Sequence, residues 1–143
     1  LLFPNERITP DKAKQVISDN ARFNVFDCSQ YALMGQMAKS QRILQQLKQS
    51  GGEPTLILWS LAREIRLLHE IVYLKNSGKS YRSLINAQWK SRQALIEKAT
   101  ARCQLKNLEH LLKLCQRTDH SIKGLSQEDT WLLLSKIICL LSQ

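Results

Sequence analysis

Apolar positions recur along the chain in steps of three and four, with no strand-like alternation, so the pattern predicts helices throughout. Thr9, Pro10 and Asp11 predict the opening of a first helix, which runs to about Ser18 and breaks at Asp19-Asn20. Asn24 with Asp27 three residues on resembles a capping box, and predicts a second helix from there to about Met34, closed by Gly35. A third helix follows from Met37 to Ser50, with Ile43, Leu44 and Leu47 on a narrow apolar stripe, and Gly51-Gly52 ends it. The longest helix is predicted over Pro54–Asn76. Its stripe is Leu58, Leu61, Ile65, Leu68 and Val72, while Leu56, Ile57, Leu67, Ile71 and Leu74 extend the apolar surface well beyond one face. Such a helix belongs at the centre of a bundle, or between two neighbours. A short helix over Tyr81–Asn86, two longer ones over Trp89–Arg102 and Leu105–Ile122, and an apolar last helix over Trp131–Leu141 complete the series. Ser126 is the expected cap of the last helix, with Asp129 at its third position.

Composition agrees with an all-α helical bundle. The chain has 143 residues, enough for one domain with a core that needs no disulfide or metal staple. Five Gly and three Pro are too few turn-formers for a sandwich or barrel. No apolar run approaches the roughly 18 residues of a membrane span, no secretory signal is visible, and a membrane partner is not expected. The first residue is Leu, not Met, so a piece of a longer protein is expected.

Charge changes the picture more. The net charge is +9, and the segment from Lys75 to Lys106 holds eight basic residues against the single acid Glu97. Such a segment suits phosphate-rich or acidic partners, or else forms a solvated face.

Catalytic and metal signatures are missing. Ser77-Gly78-Lys79-Ser80 contains a Gly-Lys-Ser, but Tyr73 stands where a phosphate-binding loop needs its first glycine. The same Tyr73 stands four residues after His69, where a zinc-protease pair needs a second histidine. Cys28, Cys103, Cys115 and Cys139 form no Cys-x-x-Cys pair, and all four are expected as reduced core residues of a cytoplasmic protein. No cofactor is expected, and the remaining classes are a protein–protein assembly domain and an independent basic helical nucleic-acid-binding domain.

An ordered set of motifs favours the first. The run Tyr31-Ala32-Leu33-Met34-Gly35 is followed by Ala38, Ile43-Leu44, Leu47 and Gly52-Glu53-Pro54. Leu56 to Leu58, Arg63-Glu64 and Leu67-Leu68 then follow, with Trp89, Arg92 and the closing Trp131-Leu-Leu-Leu segment. This series resembles the C-terminal part of the delta subunit of the bacterial DNA polymerase III clamp loader. Gln36 departs from the family, which often has a charge there, and the stretch after Gly78 matches less well.

The resemblance implies a collar-like oligomerisation domain over 21–143, with 1–20 as the tail of a preceding small helical lid-like domain. It implies tau/gamma-type and delta-prime-type subunits as partners in a five-membered loader, with primer-template DNA as a further contact. It also implies that this part of the subunit neither binds ATP nor opens a clamp.

Candidate subunit-interface residues are Leu67, Ile71, Leu74, Trp131, Leu134 and Ile138, on the two helices whose apolar surface exceeds what one core needs. Candidate nucleic-acid contacts are Trp89, Lys90, Arg92 and Arg82. On a helix, Trp89 and Arg92 share a face, so one nucleotide could touch both. Trp89 also falls in line with Ile96, Ala99 and Cys103, so a core role for its ring stands beside the stacking role.

Overall fold

The computed structural model describes residues 24–143, which form seven helical segments and no strand. They are α1 (24–33), α2 (Met37–Gln49), α3 (Pro54–Asn76), α4 (Arg82–Asn86), α5 (Lys90–Arg102), α6 (Leu105–Ile122) and α7 (Thr130–Leu141). The expected helix over Thr9–Ser18 and the expected segment 1–20 lie outside the described residues. No described helix is long and apolar enough to cross a membrane.

α3 is the axis of the bundle. Ile57, Leu58, Leu61, Ala62, Ile65, Leu68, Ile71 and Val72 are all buried, which is more than half of its circumference. That width lets it pack against α5, α6 and α7 together. α6 lies against both α3 and α7 through Leu108, Leu111, Leu114 and Cys115, and α2 closes on α7. Pro54 opens α3 at a position where its missing N–H costs nothing.

Polar ties join the apolar faces. Ser40 Oγ donates to the Cys28 carbonyl at 2.6 Å, joining α2 to α1. Gln41 Nε2 donates to the Ser135 carbonyl at 2.8 Å, and Ser135 Oγ donates back to Gln41 Oε1 at 2.9 Å, joining α2 to α7. Arg102, on the last turn of α5, donates to the carbonyls of Leu141 at 3.0 Å, Gln143 at 2.7 Å and Leu33 at 2.7 Å. One guanidinium thus supplies donors to carbonyls that the ends of α1 and α7 leave without helical partners. Gly35 turns the chain out of α1 beside this arrangement. Its φ of +80° suits glycine, and a Cβ there would stand 3.4 Å from the Ser142 carbonyl and 3.7 Å from the Arg102 guanidinium.

Three local expectations need correction. Asn24 already lies inside α1, so it is not that helix's cap. The last helix is capped by Asp129, whose carboxylate accepts from the backbone N–H groups of Trp131 at 3.0 Å and Leu132 at 3.3 Å. Ser126 lies upstream of that turn, and its hydroxyl is buried with no hydrogen-bond partner. Finally, only Cys28 and Cys115 are buried, whereas Cys103 and Cys139 are partly exposed. Burial raises the thiol pKa of Cys28 against the opposing Ser40 hydrogen bond. It pushes Cys115 up to about 11, although nearby Arg66 favours the thiolate. All four thiols are free.

Candidate functional site

The basic segment comes together around the corner between α4 and α5. Gln93 Nε2 donates to the Gln88 carbonyl at 3.0 Å and so fixes the turn that enters α5. Trp89 is the N-cap of α5, with φ −54° and ψ 142°. That extended ψ takes its side chain off the helical spiral, and its ring is 81% exposed. The core role for Trp89 is therefore overturned. Lys90, the next residue, is also exposed.

Arg92 goes the other way. It is 9% exposed and occupies the buried stripe of α5 with Ile96 and Ala99. Its guanidinium pairs with Glu64 of α3, which is 6% exposed. Arg92 is not on the surface where a phosphate could reach it, because burial holds it against the only carboxylate in that stretch of α3's core face. Trp89 and Arg92 do not share a face, since the i, i+3 rule holds inside a helix and Trp89 precedes it. Arg82 is exposed, but its guanidinium meets Glu97 at 2.5 Å, which offsets its charge. Of the four candidate contacts, Trp89, Lys90 and Arg82 reach solvent at this corner and Arg92 does not.

The candidate interface residues also divide. Ile71, Leu134 and Ile138 are wholly buried in the core, so they offer nothing to a neighbour. The periodicity that marked them as apolar marked core positions, because α3 and α7 pack against each other. Leu67 and Trp131 are partly buried against that core, and Leu74 is partly buried.

The large apolar side chains that do reach solvent lie elsewhere. Phe26, Leu56 and Trp59 line one groove together, and Met34, Met37, Tyr73, Leu125 and Leu132 are exposed as well. Val25, Phe26, Leu56, Trp59, Ser60, Arg63 and the Arg92-paired Glu64 line an open groove of about 340 Å³ between α1 and α3. On the other side of Trp59, a second groove of about 370 Å³ runs between α3 and α6, past Leu58, Ala62, Arg66, Leu112, Cys115 and the Lys123-paired Asp119. Trp59 is the ridge between them. The apolar period of α3 does not single it out, because it lies on the side opposite the stripe; its signal was a Trp among polar positions.

Among the described residues, no group of three or more His, Cys, Asp or Glu side chains is placed to hold a metal ion. The fold and its surface define an all-α domain with a buried axial helix and exposed aromatic anchors. Residues 22–139 match the family described as DNA polymerase III delta subunit, C-terminal domain, and the chain belongs to that family. It is similar to DNA polymerase III subunit delta of Escherichia coli (strain K12), with 30% identity over 145 residues. That match covers 99% of this chain and 41% of the relative, so the chain spans about two fifths of the length of the protein it resembles.

Proposed function

We propose that this chain is the assembly domain of a clamp-loader delta subunit, over 21–143, which holds the subunit in a five-membered loader that places a sliding clamp on primed DNA in the cytoplasm. Its partners are tau/gamma-type and delta-prime-type subunits. The domain contributes contacts and no chemistry, and ATP binding and clamp opening belong to other parts of the assembly. The family match carries this reading. The large apolar side chains left exposed after the core is built support it, because surfaces of this kind at the centre of a contact patch mark protein interfaces. The test is reconstitution of the full-length subunit with the other loader subunits of the same organism, followed by sedimentation. A stable complex is expected, and its absence at micromolar concentration refutes the reading.

A second role is favoured by Trp89. An indole 81% exposed beside Lys90 is placed to stack on a base while the ammonium meets a phosphate. In this reading the α4–α5 corner touches primer-template DNA within the assembled loader. An independent nucleic-acid-binding domain is the rival form of the same idea. Binding of primed DNA by this chain alone, as tight as by the whole loader, would favour the rival.

A further inference from the structure

The outward side of α3 carries Leu56, Trp59, Arg63, Arg66, Glu70 and Tyr73, in steps of three and four, and every one of them is exposed. The first half of this stripe is apolar and then cationic. Leu56 is 50% and Trp59 61% exposed, and Phe26 of α1, at 46%, extends the apolar part sideways. Among the described residues, neither Arg63 nor Arg66 has a carboxylate within ion-pair distance: Glu64 pairs with Arg92, Asp119 pairs with Lys123, and Glu70, one turn on from Arg66, forms no ion pair with it. Arg63 lines one of the two grooves beside Trp59 and Arg66 lines the other.

We propose that this surface, centred on Trp59 with Phe26, Leu56, Arg63 and Arg66 around it, is where a neighbouring subunit of the loader docks, through an apolar segment flanked by acidic residues. The inference rests on the assembly reading above and names its surface. A tryptophan ridge between two grooves is the kind of anchor that dominates an interface once water is excluded around it. The two arginines set the sign of the partner, because apolar contact brings them close to whatever flanks the inserted segment, and an unmatched charge at that distance is costly.

The same charges argue against a second copy of this chain. A two-fold contact centred on Trp59 would bring the arginines of both copies into one interface, between chains that each carry a net charge of +9. At the α4–α5 corner, by contrast, the exposed aromatic sits within the basic segment and lines neither of these two grooves.

The experiment uses the full-length subunit and the other loader subunits of its organism. Trp59→Ala and the pair Arg63→Glu with Arg66→Glu are compared with the unaltered protein by titration and sedimentation. Circular dichroism and a thermal melt establish that each variant is folded, as exposed positions allow. Trp59→Ala is expected to weaken association roughly 30-fold or more. The charge reversal is expected to weaken it more at about 0.05 M salt than at about 0.5 M, because screening removes the repulsion. If the unaltered subunit assembles and the folded Trp59→Ala and charge-reversed variants assemble equally well, this surface is wrong while the assembly reading stands. If the unaltered subunit binds no loader subunit, both fall together. If the subunit alone forms dimers that Trp59→Ala abolishes, the occupant is a second copy and the proposal is overturned.

Discussion

Arg92→Ala is predicted to be among the most damaging single changes on α5, for reasons that have nothing to do with DNA. The substitution removes the partner of the Glu64 carboxylate, which is 6% exposed on the axial helix. Breaking a buried pair from one side costs about 3–5 kcal/mol, because the remaining charge keeps its desolvation penalty and loses its compensation. The Arg stem that fills the stripe beside Ile96 is lost as well. A domain of this size is stable by about 5–15 kcal/mol in total, so the loss is a large share of it. At roughly 2–4 °C per kcal/mol, the melting temperature should fall by about 6–20 °C. The assay is urea unfolding followed by circular dichroism, for Arg92→Ala, Glu64→Ala, the double alanine variant and Glu64→Leu with Arg92→Met. The coupling between the two sites should be large. The apolar pair should recover most of the loss, since replacing both partners removes the desolvation cost together with the attraction. About 1 M salt should change little, because a buried pair is poorly screened. Single losses below about 1 kcal/mol that simply add would refute the reasoning, and so would a stable Arg92→Ala protein that had lost only its DNA affinity.

Three further outcomes are expected. Trp89→Ala should shift stability by no more than about 0.5 kcal/mol, as for other exposed positions, while primed-DNA binding by the assembled loader weakens; a drop in stability of several kcal/mol would contradict the exposed placement. Asp129→Ala should cost about 1 kcal/mol by uncapping α7, whereas Ser126→Ala should be neutral or stabilising, because its buried hydroxyl has no partner to lose; the reverse order in urea melts would restore Ser126 as the cap. The Cys115 thiol is held up to about 11 by burial, so an unfolded chain releases that proton first and stability should fall as pH rises from 9.0 towards 11, with no contribution at neutral pH. The loss should reach about 2–3 kcal/mol and be missing from the pH profile of Cys115→Ala; identical alkaline slopes for the two proteins would count against it.

The axial helix was legible because its burial obeys one period over six turns, and neither capping nor a distant partner is needed to place it. The helix ends were less so. Ser126 and Asp129 both match a cap by residue type, and only the turn geometry decides which carboxylate or hydroxyl meets the free N–H groups. The corner at Trp89 misled for a related reason: a spacing rule that holds within a helix was extended across its first residue. Glu64 and Arg92 stand 28 positions apart, and no local pattern joins them. The interface residues show the general difficulty. Apolar periodicity marks what is buried, and Ile71, Leu134 and Ile138 are buried by this chain itself. Exposed apolar residues such as Trp59 break the period, and such breaks gain meaning only once the core is known.

Arg102 has a consequence for how the domain comes apart. Its hydrogen bonds span 69 residues back to Leu33 and 39 and 41 residues forward to Leu141 and Gln143. An excursion that peels away either α1 or α7 strips acceptors from the same charged group and leaves that helix end without its donor. Terminal helices usually open at low free energy, independently of each other. Here the first and last described helices share one donor, so the amides at the end of α1 and at the end of α7 should exchange with solvent through a common opening.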